Sequence, residues 1–226
     1  EDLRIQLISK YLTEYFFVTP DKSQIASRMA NRSTLRLMSL ISVFNKWKET
    51  VAPQIQEMTS EKPLCMFLGS YFPPNNEGII WFAKNVLPHV NISMKIVGKG
   101  MAQLRNDAPE LLKNIEIVSD APDLQPYFAE ADIMVLPIFS GSGMKVKTCE
   151  SLMHGKNIIG TTEAFEGYDV DTKKVGGECN TAEEFIALLN DFAQNPRPKF
   201  NGYSRKIFLE KYSESAVTEM FKETIL

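Results

Sequence analysis

The sequence predicts an α/β protein, a doubly wound parallel sheet with an N-terminal helical appendage. Three observations lead there. Beyond residue 60, apolar runs of strand length alternate with amphipathic stretches of helix length, the pattern of a parallel sheet with crossover helices. The 226 residues are 44% hydrophobic and 10% aromatic, enough to build a sizeable core. Small-residue turns recur where strands hand over to helices, at the edge where open parallel sheets bind ligands.

The elements follow in order. "LCMFLGSYF" (Leu64 to Phe72) reads as the first strand and its turn. In "NNEGIIWFAKNVLPHV" the residues Ile79, Ile80, Phe82, Ala83, Val86 and Leu87 fall at helical spacing, with Asn75 or Asn76 as cap and an end near Pro88. "SMKIVGKG" is the second strand and turn, "MAQLRNDAPELLKN" a short helical region, "IEIVSD" the third strand and "DLQPYFAEA" a helix. "DIMVLPIF" is the fourth strand, "MKVKTCESLMHG" a helix starting at about Met144, and "NIIGT" the fifth strand. "TAEEFIALLNDFAQNP" opens with a capping box, Thr181 with Glu184, and carries Phe185, Leu188, Leu189 and Phe192 on one face. A last amphipathic segment, "YSRKIFLEKYSESAVTEMFKETIL", closes the chain.

The opening residues fit this scheme least well. "EYFFVTP" has strand character, and "LRLMSLISVFNKWKETV" is an apolar-rich helix that can pack on the domain, on a partner or on a membrane surface. Packing on protein is the favoured reading, because apolar stripes at helical spacing usually mean core. The expected organisation is therefore an N-terminal segment, 1–62, and a main domain, 63–226. The first residue is Glu1 and no signal-peptide pattern follows, so a fragment of a longer chain is expected.

Composition narrows the function classes. A net charge of −3 recruits neither nucleic acid nor an anionic membrane globally, so any electrostatic role is local. Cys65, Cys149 and Cys179 lack paired-ligand spacing, which suits reduced thiols in a cytoplasmic compartment and argues against structural zinc. No apolar run approaches the roughly 18 to 20 residues that span a bilayer.

The most informative stretch is "PIFSGSGMKVKTCESLMHGKNIIGT", Pro137 to Thr161. Ser140, Gly141, Ser142 and Gly143 let a ligand approach the main chain, and the helix behind them offers unpaired N–H groups and a positive dipole end. Lys145 and Lys147 add cationic charge. Glu150 lies on a similar side of the helix, and Val146, Cys149 and Met153 are expected to face the sheet. A carboxylate does not bind phosphate but accepts two hydrogen bonds from a vicinal diol such as a ribose. One helix can thus hold both halves of a nucleoside diphosphate. Gly-rich turns also serve packing alone, and Lys147 with Glu150 can equally form a solvated ion pair. His154 and His89 read as helix-end residues and Gly155 as a C-cap. Two further turns, with Gly69 and Ser70 after the first strand and Gly98, Lys99 and Gly100 after the second, converge on the same edge. "GKG" lacks the full G-x-G-x-x-G fingerprint, which argues against a nicotinamide cofactor. Glu163 and Glu166, after the fifth strand, read as solvated loop charges.

Together, "FLGSYFPPNNEGIIWFAKNVLP", "MKIVGKG", "IEIVSDAPDLQPYFAEADIMVLPIFSGSGMKVKTCESLMHGKNIIGTTEAFEGYD" and "EKYSESAVTEMFKETI" resemble the nucleotide-sugar-binding half of GT-B glycosyltransferases, nearest to the retaining family 4. The likeness covers roughly Pro63 to Leu226 and implies a Rossmann-like donor-binding domain. In that family a Glu-x7-Glu motif holds the donor ribose with its second acid, matched here by Glu150. The first acid contacts the donor sugar; its place falls at Ser142, so the motif is incomplete. The resemblance implies transfer of a sugar from a UDP-, GDP- or other nucleoside diphosphate sugar to an acceptor hydroxyl, with retention and no required cofactor or metal. Met144 and its neighbours from Ser140 to Glu150, with Gly69, Ser70, Gly98 and Lys99, would form the donor site. It further implies a second half that carries the acceptor, a glycan or lipid-linked saccharide, at the inner face of a membrane. A non-catalytic scaffold of the same fold is the alternative, supported by Ser142.

Overall fold

The computed structural model describes residues 59–141, 143–217 and 219. Most of the expected N-terminal segment therefore lies outside the described residues, as do Ser142 and the end of the last amphipathic segment. Thr59 joins the domain through paired bonds with Arg197: its N–H donates to the Arg197 carbonyl at 2.8 Å, and its Oγ1 accepts from the Arg197 N–H at 3.0 Å.

Six parallel strands form one sheet in the order β3-β2-β1-β4-β5-β6. They are β1 (Leu64–Leu68), β2 (Ser93–Gly98), β3 (Glu116–Ser119), β4 (Ile133–Leu136), β5 (Asn157–Gly160) and β6 (Gly176–Glu178). The helices are α1 (Pro73–Asn85), α2 (Leu104–Asp107), α3 (Pro109–Leu112), α4 (Gln125–Glu130), α5 (Val146–Met153), α6 (Thr172–Val175), α7 (Ala182–Gln194) and α8 (Gly202–Ile207), the last continuing into a π-helical turn, Phe208–Tyr212. The doubly wound sheet is as expected, but it holds a sixth strand. In "GGE" two glycines replace the apolar alternation that marks a strand, and the pairing of Gly176 and Gly177 with Ile158 and Ile159 supplies what pattern does not.

Strands buried on both faces explain the continuous apolar runs. On β1, Cys65 and Phe67 face one core while Met66 and Leu68 face the other. On β4, Ile133 and Val135 oppose Met134 in the same way. The larger core packs beneath α1, α5 and α7; the smaller closes on Phe128 of α4. Cys65, Cys149 and Cys179 are buried free thiols. Thr181 and Glu184 form the expected capping box on α7.

Two helix starts differ from expectation. The cap of α1 is Phe72, not Asn75 or Asn76, because Pro73 and Pro74, with fixed φ and no N–H, suit the first turn. Asn76 instead reaches back, its Oδ1 accepting from the Phe72 N–H at 3.2 Å. Helix α5 begins at Val146 rather than Met144: Gly143 is left-handed at φ 72°, and Lys145 is extended as the cap. This shift turns Val146 away from the sheet, leaving it 39% exposed, while Thr148 and Ser151 join Cys149 inside.

Phe185 of α7 is fully buried and meets Trp81 and Phe82 of α1 edge-on, at centroid distances of 5.9 and 5.7 Å. Phe185→Ala removes that contact and leaves a cavity, so urea denaturation is expected to show a loss of about 3–5 kcal/mol. A loss under about 1 kcal/mol would place Phe185 outside the stabilising core.

Candidate functional site

Strand order reverses between β1 and β4, and a crevice opens there beyond the carboxyl ends, as doubly wound sheets require. A cleft of about 940 Å³ occupies it. Gly69, Ser70, Gly98, Lys99, Ser140, Gly141, Met144, Lys145, Lys147 and Glu150 all line this cleft. Of the remaining expected positions, Gly143 is not in the lining and Ser142 lies outside the described residues.

One wall is knitted from three turns. The Gly69 N–H donates to the Val97 carbonyl at 3.0 Å, the Tyr71 N–H to Lys99 at 2.8 Å, and the Asp120 N–H to Gly98 at 3.2 Å. Sheet-like bonding thus runs past the strand ends. Gly98 is obligatory: a Cβ there would stand 1.9 Å from the Gly69 carbonyl oxygen. The other wall starts from the amino end of α5. No side chain among the described residues caps its first turn, and the Val146 and Lys147 amides have no acceptor among them. Such donors and the positive end of the helix dipole are the features by which helix starts attract anions.

Lys147 is the distinctive cation. Its ammonium donates to Asn75 Oδ1 and lies 4.7 Å over the ring of Phe67. Burial pulls its pKa from 10.5 to about 8, opposed by Glu150 and aided by Lys145. A Cβ on Gly69 would come within 3.3 Å of the Lys147 Nζ, so the β1 turn rests directly on this lysine. Lys147 and Glu150 line the same cleft, and the Glu150 charge favours the Lys147 ammonium.

Lys145 behaves differently from its expected role as a second available cation. Its Nζ donates to the Gly143 carbonyl and Glu163 Oε1, each at 2.6 Å, and to Glu166 Oε2 at 3.2 Å. Glu163 and Glu166 are therefore not simple solvated charges: the turn after β5 folds back onto α5 and brings both to Lys145. His154 caps α5 and stacks on Phe128 at 4.0 Å, its pKa pushed down to about 4 by burial and by nearby Lys156 and Arg205.

Two cleft residues escaped the sequence reading. Asn75, read as a helix cap, bridges the site: its Nδ2 donates to the Ser70 carbonyl at 2.8 Å while its Oδ1 accepts a hydrogen bond from the Lys147 ammonium. Asp120 is left-handed at φ 58°, a conformation Asp tolerates. Its carboxylate accepts from Ser119 Oγ at 2.6 Å and the Gly100 N–H at 3.2 Å. These bonds, with Lys99 nearby, hold its pKa below the usual carboxylate value. The signal available was "VSDAP", a polar turn immediately after a strand.

Comparison with known proteins places this geometry in a wider set. A Klebsiella pneumoniae protein, described as an uncharacterized 44.6 kDa protein in the cps region, is 25% identical over 178 residues, covering 70% of this chain and 45% of that protein. Among solved structures, a mutant of S. aureus TarM in complex with fondaparinux, alpha-GlcNAc-glycerol and UDP superposes with a TM-score of 0.58 at 16% identity, over 79% of this chain and 38% of that one. Anabaena HepE in complex with UDP gives 0.60 at 12% identity, over 73% and 49%. The catalytic domain of Arabidopsis thaliana starch synthase IV, bound to ADP and acarbose, gives 0.53 at 12%, over 86% and 41%. This chain thus spans less than half the length of each, and at these identities the structural likeness concerns the fold, the Rossmann-like domain of GT-B proteins. The sequence pattern of the family described as Glycosyl transferases group 1 matches residues 62–195, more than half of the chain, and this protein belongs to that family.

Proposed function

We propose that residues 63–226 form the donor-binding domain of a glycosyltransferase, and that the domain holds a nucleoside diphosphate sugar in the cleft between β1 and β4. The observation that carries the reading is the convergence, in one crevice, of the uncapped α5 amides, the Lys147 ammonium held by Asn75 and Phe67, and the carboxylate of Glu150. The diphosphate sits at the amino end of α5 with Lys147 beneath it, and Glu150 accepts hydrogen bonds from the ribose. Lys99 and Asp120 stand at the opposite wall, with Ala121 and Leu124 as the apolar surface available to the base. The complexes of HepE and TarM with UDP, and of starch synthase IV with ADP, favour a nucleoside diphosphate as the ligand class.

As the sugar departs, negative charge builds on the leaving diphosphate, and oriented amides and an ammonium stabilise it without reorganisation. Burial lowers the pKa of Lys147, and a phosphate beside it would raise it again. In this reading the amides and lysine serve where a divalent cation otherwise would, and the family resemblance supplies retention of configuration. The acceptor is a saccharide hydroxyl, free or lipid-linked, presented by a second half of the protein; the relative in a cps region favours a growing polysaccharide. No helix among the described residues is long and apolar enough to cross a membrane.

Calorimetric titration with UDP and GDP is expected to give micromolar to millimolar binding of at least one. Silence with both would favour the non-catalytic scaffold. Glu150→Ala weakens that binding by about 1–3 kcal/mol, the scale of hydrogen bonds to a charged acceptor; unchanged affinity removes Glu150 from the site.

The pH profile follows from Lys147. In the free protein its ammonium loses its proton near pH 8, and the bound diphosphate favours the protonated form. Between about pH 7, where the terminal phosphate of the nucleotide is ionised, and about pH 8 affinity is therefore level, and it falls as pH rises further, because binding must then take up a proton. Lys147→Met binds more weakly and shows no such fall; an unaltered alkaline limb would exclude Lys147. Alongside a full-length parent, the chain alone is expected to bind donor but turn over little, and comparable turnover would contradict the two-half account.

A further inference from the structure

The loop before α5 presents two lysines one residue apart, and their surroundings differ. An ammonium has three protons to donate. In Lys145 all three are committed: to the Gly143 carbonyl, to Glu163 and to Glu166. Its side chain is 12% exposed, and that of Glu163 26%. Moving this ammonium to a phosphate would leave two carboxylates facing each other beside an incoming anion, an uncompensated charge in a half-buried place. Lys147, by contrast, has one hydrogen-bond acceptor among the described residues, Asn75 Oδ1, and keeps protons to give.

What Lys145 grips is as telling as what it lacks. The turn after β5 is a fixed body: the Thr161 N–H donates to the Leu136 carbonyl at 3.3 Å, and the Thr162 N–H to Asn180 Oδ1 at 3.0 Å. Two further bonds tie this turn to α5, Thr148 Oγ1 to the Ala164 carbonyl at 2.6 Å and Tyr168 Oη to the Lys145 carbonyl at 2.8 Å. The Gly143 carbonyl, in the left-handed stretch of the loop, is drawn to the same point by the Lys145 ammonium. Fixing that carbonyl fixes its peptide plane, and so the path by which the chain enters α5.

We propose that Lys145 is a positioning residue: its ammonium bolts Gly143, at the entry to α5, to the turn after β5 and so sets the shape of the anion seat, while contact with the diphosphate falls to Lys147. The assignment rests on the nucleotide reading above. It separates two lysines that sequence alone makes equivalent, and it gives Glu163 a part in donor binding without contact with the donor.

The test compares Lys145→Met, Lys145→Arg and Glu163→Gln with the unaltered chain, by titration with UDP and GDP and by hydrogen–deuterium exchange of peptides covering residues 141–147, with thermal melts to confirm folding. Lys145→Met is expected to weaken binding about tenfold and Glu163→Gln several-fold, the scale of a lost charged hydrogen bond. Lys145→Arg is expected to stay within about threefold, since the guanidinium still reaches both carboxylates. Exchange in the loop rises in Lys145→Met without ligand. Tighter binding by Glu163→Gln would mean that a released Lys145 serves the phosphate, and overturns the assignment. So would unchanged affinity and exchange in a folded Lys145→Met, or, if that variant does not fold, unchanged values in Glu163→Gln. Should the unaltered chain take up neither nucleotide, the nucleotide reading fails, and exchange alone then decides whether Lys145 holds the loop.

Discussion

An ammonium held out of water beneath a glycine turn is the constraint on which the site depends. Lys147 rises from the first turn of α5, meets Asn75 Oδ1 and the face of Phe67, and with both of them crowds position 69, where a Cβ would come within 3.0–3.3 Å of all three side chains. Those contacts join three elements: the exit of β1, the start of α1 and the start of α5. Burying a cation with so few partners costs free energy. Its pKa near 8 records that cost, and an anion in the cleft would repay it. Perturbed groups of this kind gather at functional sites, and this one sits where the fold itself opens a crevice.

The rest of the site is scaffolding for that arrangement. Bonds between turns carry the order of β1, β2 and β3 beyond the strand ends, so one wall continues the bonding of the sheet. On the opposite wall main-chain bonding past the strand ends ties the turn after β5 to the sheet, the Thr161 N–H donating to the Leu136 carbonyl, while side chains hold the start of α5 to that turn: Thr148 on Ala164, Tyr168 on Lys145, and Lys145 on Gly143, Glu163 and Glu166. A loop fixed by side-chain bonds can be loosened by single substitutions in a way that a sheet cannot. The two walls therefore differ in what sustains them as well as in charge.

Much of this was legible in the sequence, for identifiable reasons. Period and burial announce β1 to β5, because strands covered on both faces leave continuous apolar runs such as "DIMVLPIF". The Thr181 capping box is a local signal with a local cause. The uncapped start of α5 was singled out because small residues before a helix have a direct electrostatic meaning. What stayed hidden depends on contacts distant in sequence. Asn75 meets Lys147 across 72 positions, and Lys145 meets Glu163 across 18; no spacing rule links such pairs. Strand β6 was missed because glycines carry no pattern, and α5 was started two residues early because the extended conformation of Lys145 is set by tertiary bonds.

The central claim is that one helix start, with Lys147 beside it, receives a diphosphate. A crystal of this chain soaked with UDP and with GDP tests it most directly. The account predicts phosphate oxygens within hydrogen-bond distance, about 2.7–3.2 Å, of the Val146 or Lys147 amide and of the Lys147 Nζ, with a ribose hydroxyl on Glu150. A nucleotide bound elsewhere on the domain, or one in the cleft whose phosphates turn away from α5, would contradict it.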